Sequence, residues 1–379
     1  MIIKSVERVL KEVFDNPTAP YRENWVLQYV EKELNRLKVP YFIDKWGNII
    51  AGVSKPQTLK KSKKVALMAH TDHPGFHLIK KITKTQWRAQ WFGGVPPKTH
   101  NAKVAIYNPL LPNKVFYGKI LSKKFEGQKK DTFKIQLTNA KNQVDDTCFG
   151  AFAFPGFQQK KHRVFSRAAD DLAGVTIILA TFARLNSSQR KNILGVFTRA
   201  EETGFKGALG IIYQNILGHE NTVISLEASR QLEGARIGSG PVIRLGDKRT
   251  LFDNRVTSLL DLACTELKKI NPKINFQRRI MNGGTCEATA FNLHHIKAAG
   301  IAVPLGNYHN QRANLKPGAE FIDIRDVLGA VEICVQFYKN LEKKIDPMRD
   351  FINAMASGFK NDRPLLSQKI KFNKRGNDV

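Results

Sequence analysis

Five separated blocks of this 379-residue chain carry side chains of the kinds that hold metal ions. They are AHTDHPGF with His70 and Asp72, RAADDLAG with Asp170, RAEETGF with Glu201 and Glu202, VISLEAS with Glu227, and LGNYHNQ with His309. Two divalent cations about 3.5–4 Å apart need a carboxylate between them, further carboxylate or imidazole ligands on each, and a shared place for water. Asp170 is the natural bridge, with His70 and Glu227 completing one ion and Glu202 and His309 the other. Such a set suits zinc, with cobalt or manganese as substitutes, because imidazole and carboxylate are borderline-to-hard donors and no thiolate is needed. Counting the bridge twice gives three protein ligands per ion, which leaves positions open for water and substrate, as catalysis requires.

The neighbours of these residues fit the same chemistry. Asp72 lies two positions after His70, so in a strand both point to one face and Asp72 can accept a hydrogen bond from the imidazole nitrogen that is not on the metal. Glu201 and Glu202 are adjacent, so one can bind metal while the other serves as a general base.

Each block alone also has a bland reading. A histidine after an apolar strand is usually a satisfied core or surface residue, an adjacent acid pair is usually a solvated helix start, and Asp-Asp before an apolar helix is usually an N-cap. Position is what argues against coincidence. Short β-like runs, VALMA, NILGVF, TVISL and IAVPLG, lead directly into the acids and imidazoles. Ligands bind at the carboxyl ends of strands in open α/β sheets, so these side chains converge on one edge.

Elements that would place them there alternate along the chain. MIIKSVERVLKEVFDN reads as an amphipathic helix, a second helix covers about residues 22–37, and YFIDKWGNIIAGV reads as a hairpin turning at Gly47-Asn48. From 73 to 162 the pattern changes to strand-length pieces such as VAIYNP, VFYGKIL and TFKIQL, with no helical period. Strand–helix alternation resumes at VFSRAADDLAGVTIILATFARL and runs to DIRDVLGAVEICVQFYKNLEKK. The expected organisation is a catalytic domain in two parts, 1–72 and 163–379, with an inserted β-barrel domain at 73–162 and a basic C-terminal tail, KIKFNKRGNDV.

In this order, His-x-Asp, Asp-Asp-x-Ala-Gly, Glu-Glu-x-Gly, a single acid and a late His, the chain resembles the dinuclear metallo-aminopeptidases, most closely peptidase family forty-two of the zinc exopeptidase clan, which includes the tetrahedral, glutamyl and deblocking aminopeptidases. The likeness extends to the Trp46-Gly47-Asn48 turn and the Gly283-Gly284-Thr285 segment. It implies a three-layer α/β/α catalytic domain, His70, Asp170, Glu202, Glu227 and His309 as ligands of two divalent ions, Asp72 as their support and Glu201 as general base. It also implies a strained peptide after Asp170 that admits a cis form. Four positions depart from the family pattern: His73 and Pro74 replace the usual residues before the glycine, Leu172 stands where Arg or Asn is common, Glu227 replaces Asp, and Cys286-Glu287 follow GGT.

Composition agrees with a soluble enzyme large enough for an α/β domain with an insertion. No run approaches a membrane span, and Glu7, Glu12 and Asp15 disfavour a transit peptide. The cysteines, Cys148, Cys264, Cys286 and Cys334, are scattered without CxxC pairing, which points to reduced thiols and a cytoplasmic location. Net charge is +28, and residues 73–162 alone hold 16 Lys and Arg against 4 Asp and Glu. That field favours anionic partners, although its bland reading is a solvated Lys-rich surface. No nucleic-acid motif accompanies it, so nucleic acid is not an expected partner.

The function expected is peptide hydrolysis one residue at a time from the amino end, by a homo-oligomer. Two rivals stand beside it: a related dinuclear amidase, deacetylase or carboxypeptidase, and a non-catalytic basic binding protein with a vestigial metal site. The intact Glu201 disfavours the second.

Overall fold

The protein is described by a computed structural model covering residues 2–56, 59, 65–125, 131–138 and 143–368; the basic tail lies outside them. Helices α1 (Ile2–Asp15) and α2 (Asn24–Arg36) open the chain, followed by the hairpin β1 (Tyr41–Ile43) and β2 (Ile49–Ala51) and by β3 (Val65–His70). Gly47 completes the hairpin turn with φ +84°, a backbone conformation that suits glycine.

Six antiparallel strands come next: β4 (Gly75–Lys81), β5 (Gln86–Phe92), β6 (Lys103–Tyr107), β7 (Val115–Phe125), β8 (Asp131–Leu137) and β9 (Phe149–Phe152). They close into a barrel in the order β4-β5-β8-β7-β6-β9. Inward residues such as Phe76, Trp91, Ile106, Phe133 and Phe152 form a core separate from the main one. Closure leaves no unpaired edge to template association. β10 (Gln158–Lys160) and β11 (Arg163–Ser166) follow, outside the barrel.

The chain then forms α3 (Ala169–Arg184), β12 (Ile193–Thr198), α4 (Lys206–Tyr213), β13 (Thr222–Arg230), β14 (Val242–Asp247), α5 (Asn254–Ile270), β15 (Gln277–Met281), α6 (Glu287–Leu293), β16 (Lys297–Leu305), β17 (Glu320–Asp323), α7 (Ile324–Glu342) and α8 (Arg349–Leu366). β17 pairs with β11 in a small sheet. The main sheet has eight strands in the order β1-β2-β12-β3-β13-β16-β14-β15. Within it β12, β3, β13 and β16 are mutually parallel. Their sequences are near-continuous apolar runs because both faces are covered; every residue of β3 and β12 is buried.

Helices α1, α3, α5 and α7 pack together, as do α4 and α6. The apolar run of α3 is buried from Ala169 to Phe182, which is why this helix lacks a polar face. Helix α8 was not expected from the sequence. Its apolar residues, Phe351, Ile352, Met355 and Phe359, are exposed, and it buries none of its residues.

Candidate metal centre

Parallel register brings the candidate residues to one end of the sheet. His70 ends β3 and pairs with Thr198 of β12, so Glu201 and Glu202 follow three and four residues beyond the same level. Ser225 of β13 pairs with Met68, which sets Glu227 level with His70. His309 lies four residues past the end of β16, and Asp170 stands at the start of α3.

Around Asp170 the side chains converge. Its Oδ1 lies 3.3 Å from His70 Nε2 and its Oδ2 lies 3.7 Å from His309 Nε2, so its carboxylate sits between the two imidazoles. His70 Nε2 is 3.8 Å from Glu227 Oε1 and 3.9 Å from Glu201 Oε2, and His309 Nε2 is 3.1 Å from Glu202 Oε1. Among the described residues, two groups have ligand atoms all within 4.8 Å of one another: His70, Asp170 and Glu202, and His70, Asp171 and Glu227. Asp171, read from the sequence as no more than a helix start, therefore belongs to the cluster. One of its oxygens accepts the N–H groups of Gly174 and Ala228 at 3.0 Å, and the peptide joining it to Asp170 is cis.

A shell of hydrogen bonds holds these groups. The Asp72 carboxylate accepts the main-chain N–H of Glu201 at 2.9 Å and of Glu202 at 3.1 Å. His70 Nδ1 meets the Asp72 carbonyl at 3.1 Å and its carboxylate at 3.5 Å. The imidazole is thus oriented first by the main chain, and the Asp72 side chain orients the acid pair, a second duty its spacing did not reveal. Glu320, fully buried at the start of β17, accepts N–H from Ala169 at 2.8 Å, Asp170 at 3.1 Å and His309 at 2.8 Å. It ties the α3 start to the His309 loop, where Asn307, His309 and Asn310 all have positive φ. No sequence signal distinguishes Glu320 from other acids. His73, one of the family departures, donates from Nδ1 to the Asp170 carbonyl, and its Nε2 lies 3.2 Å from Asn310 Oδ1. Gly94, on the loop after β5, abuts His309 so closely that a Cβ would strike the imidazole.

The cluster is electrically frustrated as a set of bare side chains. Burial, then repulsion from neighbouring acids, holds Glu201 and Glu202 well above the ordinary carboxyl range. Burial would depress His70, but Glu201, Asp170 and their neighbours carry it well above the usual imidazole value. Burial lowers His309 to about 4 and His73 to about 3, leaving both neutral. Neutral imidazole is the form that ligates metal. The departure Glu287 is fully buried, and burial pushes it up to about 8. Cys286 is pushed up to about 12 by burial, which removes it as a nucleophile.

These residues fit divalent cations. His70 Nε2, Asp170 Oδ1, Asp171 Oδ2 and Glu227 Oε2 are all buried without a hydrogen bond, a costly condition that coordination would relieve.

Comparison with known proteins follows the same lines. The sequence model of the M42 glutamyl aminopeptidases matches residues 47–324. Aminopeptidase APDkam598 from the archaeon Desulfurococcus kamchatkensis has a similar structure, with TM-score 0.72 and 21% identity over 91% of this chain and 96% of that one. A TET aminopeptidase from a marine sediment Thaumarchaeota archaeon gives TM-score 0.72 and 16% identity over 89% and 97%. The TET1 peptidase of Pyrococcus horikoshii, which can assemble into a tetrahedron or a large octahedral shell, gives 0.71 and 18% over 88% and 99%.

Proposed function

The chain belongs to the M42 glutamyl aminopeptidase family, whose members are metallopeptidases, and on that footing we propose that it removes amino-terminal residues from peptides with two divalent ions. The observation that carries this reading is the convergence of buried, unbonded ligand atoms around Asp170 at the carboxyl edge of a parallel sheet. In the proposed assignment Asp170 would serve both ions, His70 and Glu227 would hold one beside Asp171, and Glu202 and His309 would hold the other. Zinc suits the donors best, with cobalt or manganese able to replace it. When bound, the ions supply Lewis-acid polarisation of the scissile carbonyl and a water acidic enough to ionise near neutrality.

Glu201 is the group proposed to move protons. Its carboxylate takes a proton from the attacking water and returns it to the departing amine, so the C–N bond breaks with a neutral leaving group. Burial raises its proton affinity, the direction a base that later acts as an acid requires. Asp72 holds the Glu201 amide and thereby the position of that side chain.

The recess beside Glu227, lined by Ser229, Arg244 and Tyr308, has a volume of about 20 Å³, room for little more than a water. Arg244 is buried, donates to Ser229 Oγ at 3.1 Å and has no ion pair among the described residues.

The surrounding organisation completes the proposal. The helix group α1, α3, α5, α7 and the group α4, α6 are taken as flanking opposite faces of the sheet in a three-layer catalytic domain formed by 1–72 and 163–379. The segment 73–162 is its insert, and the chain is a homo-oligomer to which the barrel contributes. No helix among the described residues is long and apolar enough to cross a membrane.

Aminoacyl chromogenic substrates with added zinc, cobalt or manganese test the reading. Metal-dependent release, abolished by a chelator, is the expected result. Cleavage confined to the carboxyl ends of peptides would instead select the carboxypeptidase rival.

A further inference from the structure

A second recess lies where the barrel meets the catalytic domain, with a volume of about 680 Å³. It is lined by Lys98, His100 and Lys103 from the barrel side, Phe154 from the segment after β9, and Lys316 from the loop after His309. The lining contains no Asp or Glu. None of the three lysines has an ion pair among the described residues.

Two connections join this recess to the metal centre. On the barrel side, Gly94 abuts His309, and Pro97 at the recess wall is three residues further along. On the catalytic side, the loop carrying Lys316 and Pro317 leaves directly from His309, and the Lys98 N–H donates to the Leu315 carbonyl at 3.1 Å, clasping the two walls together. An extended chain spans at most about 3.6 Å per residue, so the recess begins within roughly 11 Å of the Gly94–His309 contact. That is the reach of about three residues of an extended peptide.

We propose that this recess binds the part of a peptide substrate downstream of the scissile bond, and that it selects acidic residues from about the third downstream position onward. The inference rests on the aminopeptidase reading for what occupies the centre, but the recess and its charge exist independently of it. Acidic side chains there would meet three ammonium groups and no repelling carboxylate. Attraction between such exposed charges fades over a Debye length of about 8 Å at physiological salt, so the selectivity is a local one and weakens as salt rises.

Two measurements on the full-length, metal-loaded protein test it. The first is fluorescence anisotropy with a labelled, acetyl-capped pentaglutamate, which lacks a free amino terminus. Binding is expected, and the triple variant K98E/K103E/K316E should weaken it by about tenfold or more. The second compares KM for Leu-Ala-Ala-Glu-Glu with that for Leu-Ala-Ala-Ala-Ala. The acidic peptide should have a KM several-fold lower at low salt, and the ratio should vanish or invert in the triple variant. Loss of peptidase activity against every peptide, with anisotropy as expected, would remove the aminopeptidase reading and leave the recess standing. Equal binding by wild type and variant, or no binding at all, overturns the proposal. So does tighter binding of a five-nucleotide single strand that displaces the peptide, which would assign the recess to nucleic acid.

Discussion

The carboxylate of Asp72 accepts the main-chain N–H of Glu201 at 2.9 Å, joining the end of one parallel strand to the loop that follows its neighbour. The same carboxylate takes the Glu202 N–H at 3.1 Å. One side chain therefore sets the position of both acids. Asp72→Asn keeps the shape but turns one acceptor into a donor facing an N–H. Turnover and metal affinity together are expected to fall by about 10–100-fold, the usual cost of disturbing a ligand's support. Steady-state kinetics with a metal titration measure this, and an unchanged variant would remove Asp72 from the site.

Glu201 and Glu202 should separate by role. Glu201→Gln cannot accept a proton, so kcat should drop by roughly 10²–10⁴ while bound metal stays. Glu202→Gln should lose metal. Elemental analysis alongside kinetics distinguishes them, and the opposite pattern would exchange the assignments.

Much of this arrangement is legible in the residues themselves, and the remainder for identifiable reasons is not. His70, Glu201 and Glu227 announce themselves because apolar runs lead straight into them, and the parallel register then sets them side by side. The barrel is legible as a loss of helical period. Asp171 is not legible as a cluster member, because Asp-Asp before an apolar run is the ordinary signature of a helix start. Glu320 is invisible because its work is hydrogen bonding to main-chain groups 11 to 151 residues away, which leaves no local pattern. The β10 strand falls within the expected insert yet pairs with β11 and thereby joins β17, a long-range pairing that alternation cannot reveal. Helix α8 carries Gly358 and Pro364 and no buried face, so neither capping nor core periodicity marks it.

Glu320→Gln probes the support that sequence reading missed. The amide cannot accept all three N–H groups now served by the carboxylate, and a buried donor left unpaired costs about 1–3 kcal/mol. Thermal unfolding should shift downward, and metal affinity should weaken because Asp170 and His309 lose a common anchor. A variant identical to wild type in both respects would show that Glu320 is dispensable.

Acid stability should depend on Glu33. Burial alone would raise this carboxyl, but hydrogen bonds from Arg8 and Arg36 take it below the ordinary value of 4.5. Its contribution, which links α1 to α2, is present above that ordinary value and is lost as pH falls through the depressed one. Glu33→Gln should therefore be less stable than wild type near neutrality, with the difference shrinking as pH falls below the ordinary carboxyl value. Denaturant melts across pH 3–7 check the sign, and a deficit that grows on acidification would contradict it.

Metal stoichiometry of Asp170→Ala is the decisive measurement. The Asp170 carboxylate faces both imidazoles, with one oxygen 3.3 Å from His70 Nε2 and the other 3.7 Å from His309 Nε2. Purified wild-type protein should carry two divalent ions per chain by elemental analysis. The Asp170→Ala protein, folded by circular dichroism, should carry neither, whereas His309→Ala should lose mainly one. Two ions retained in the Asp170→Ala protein would contradict the bridging assignment and with it the two-metal centre.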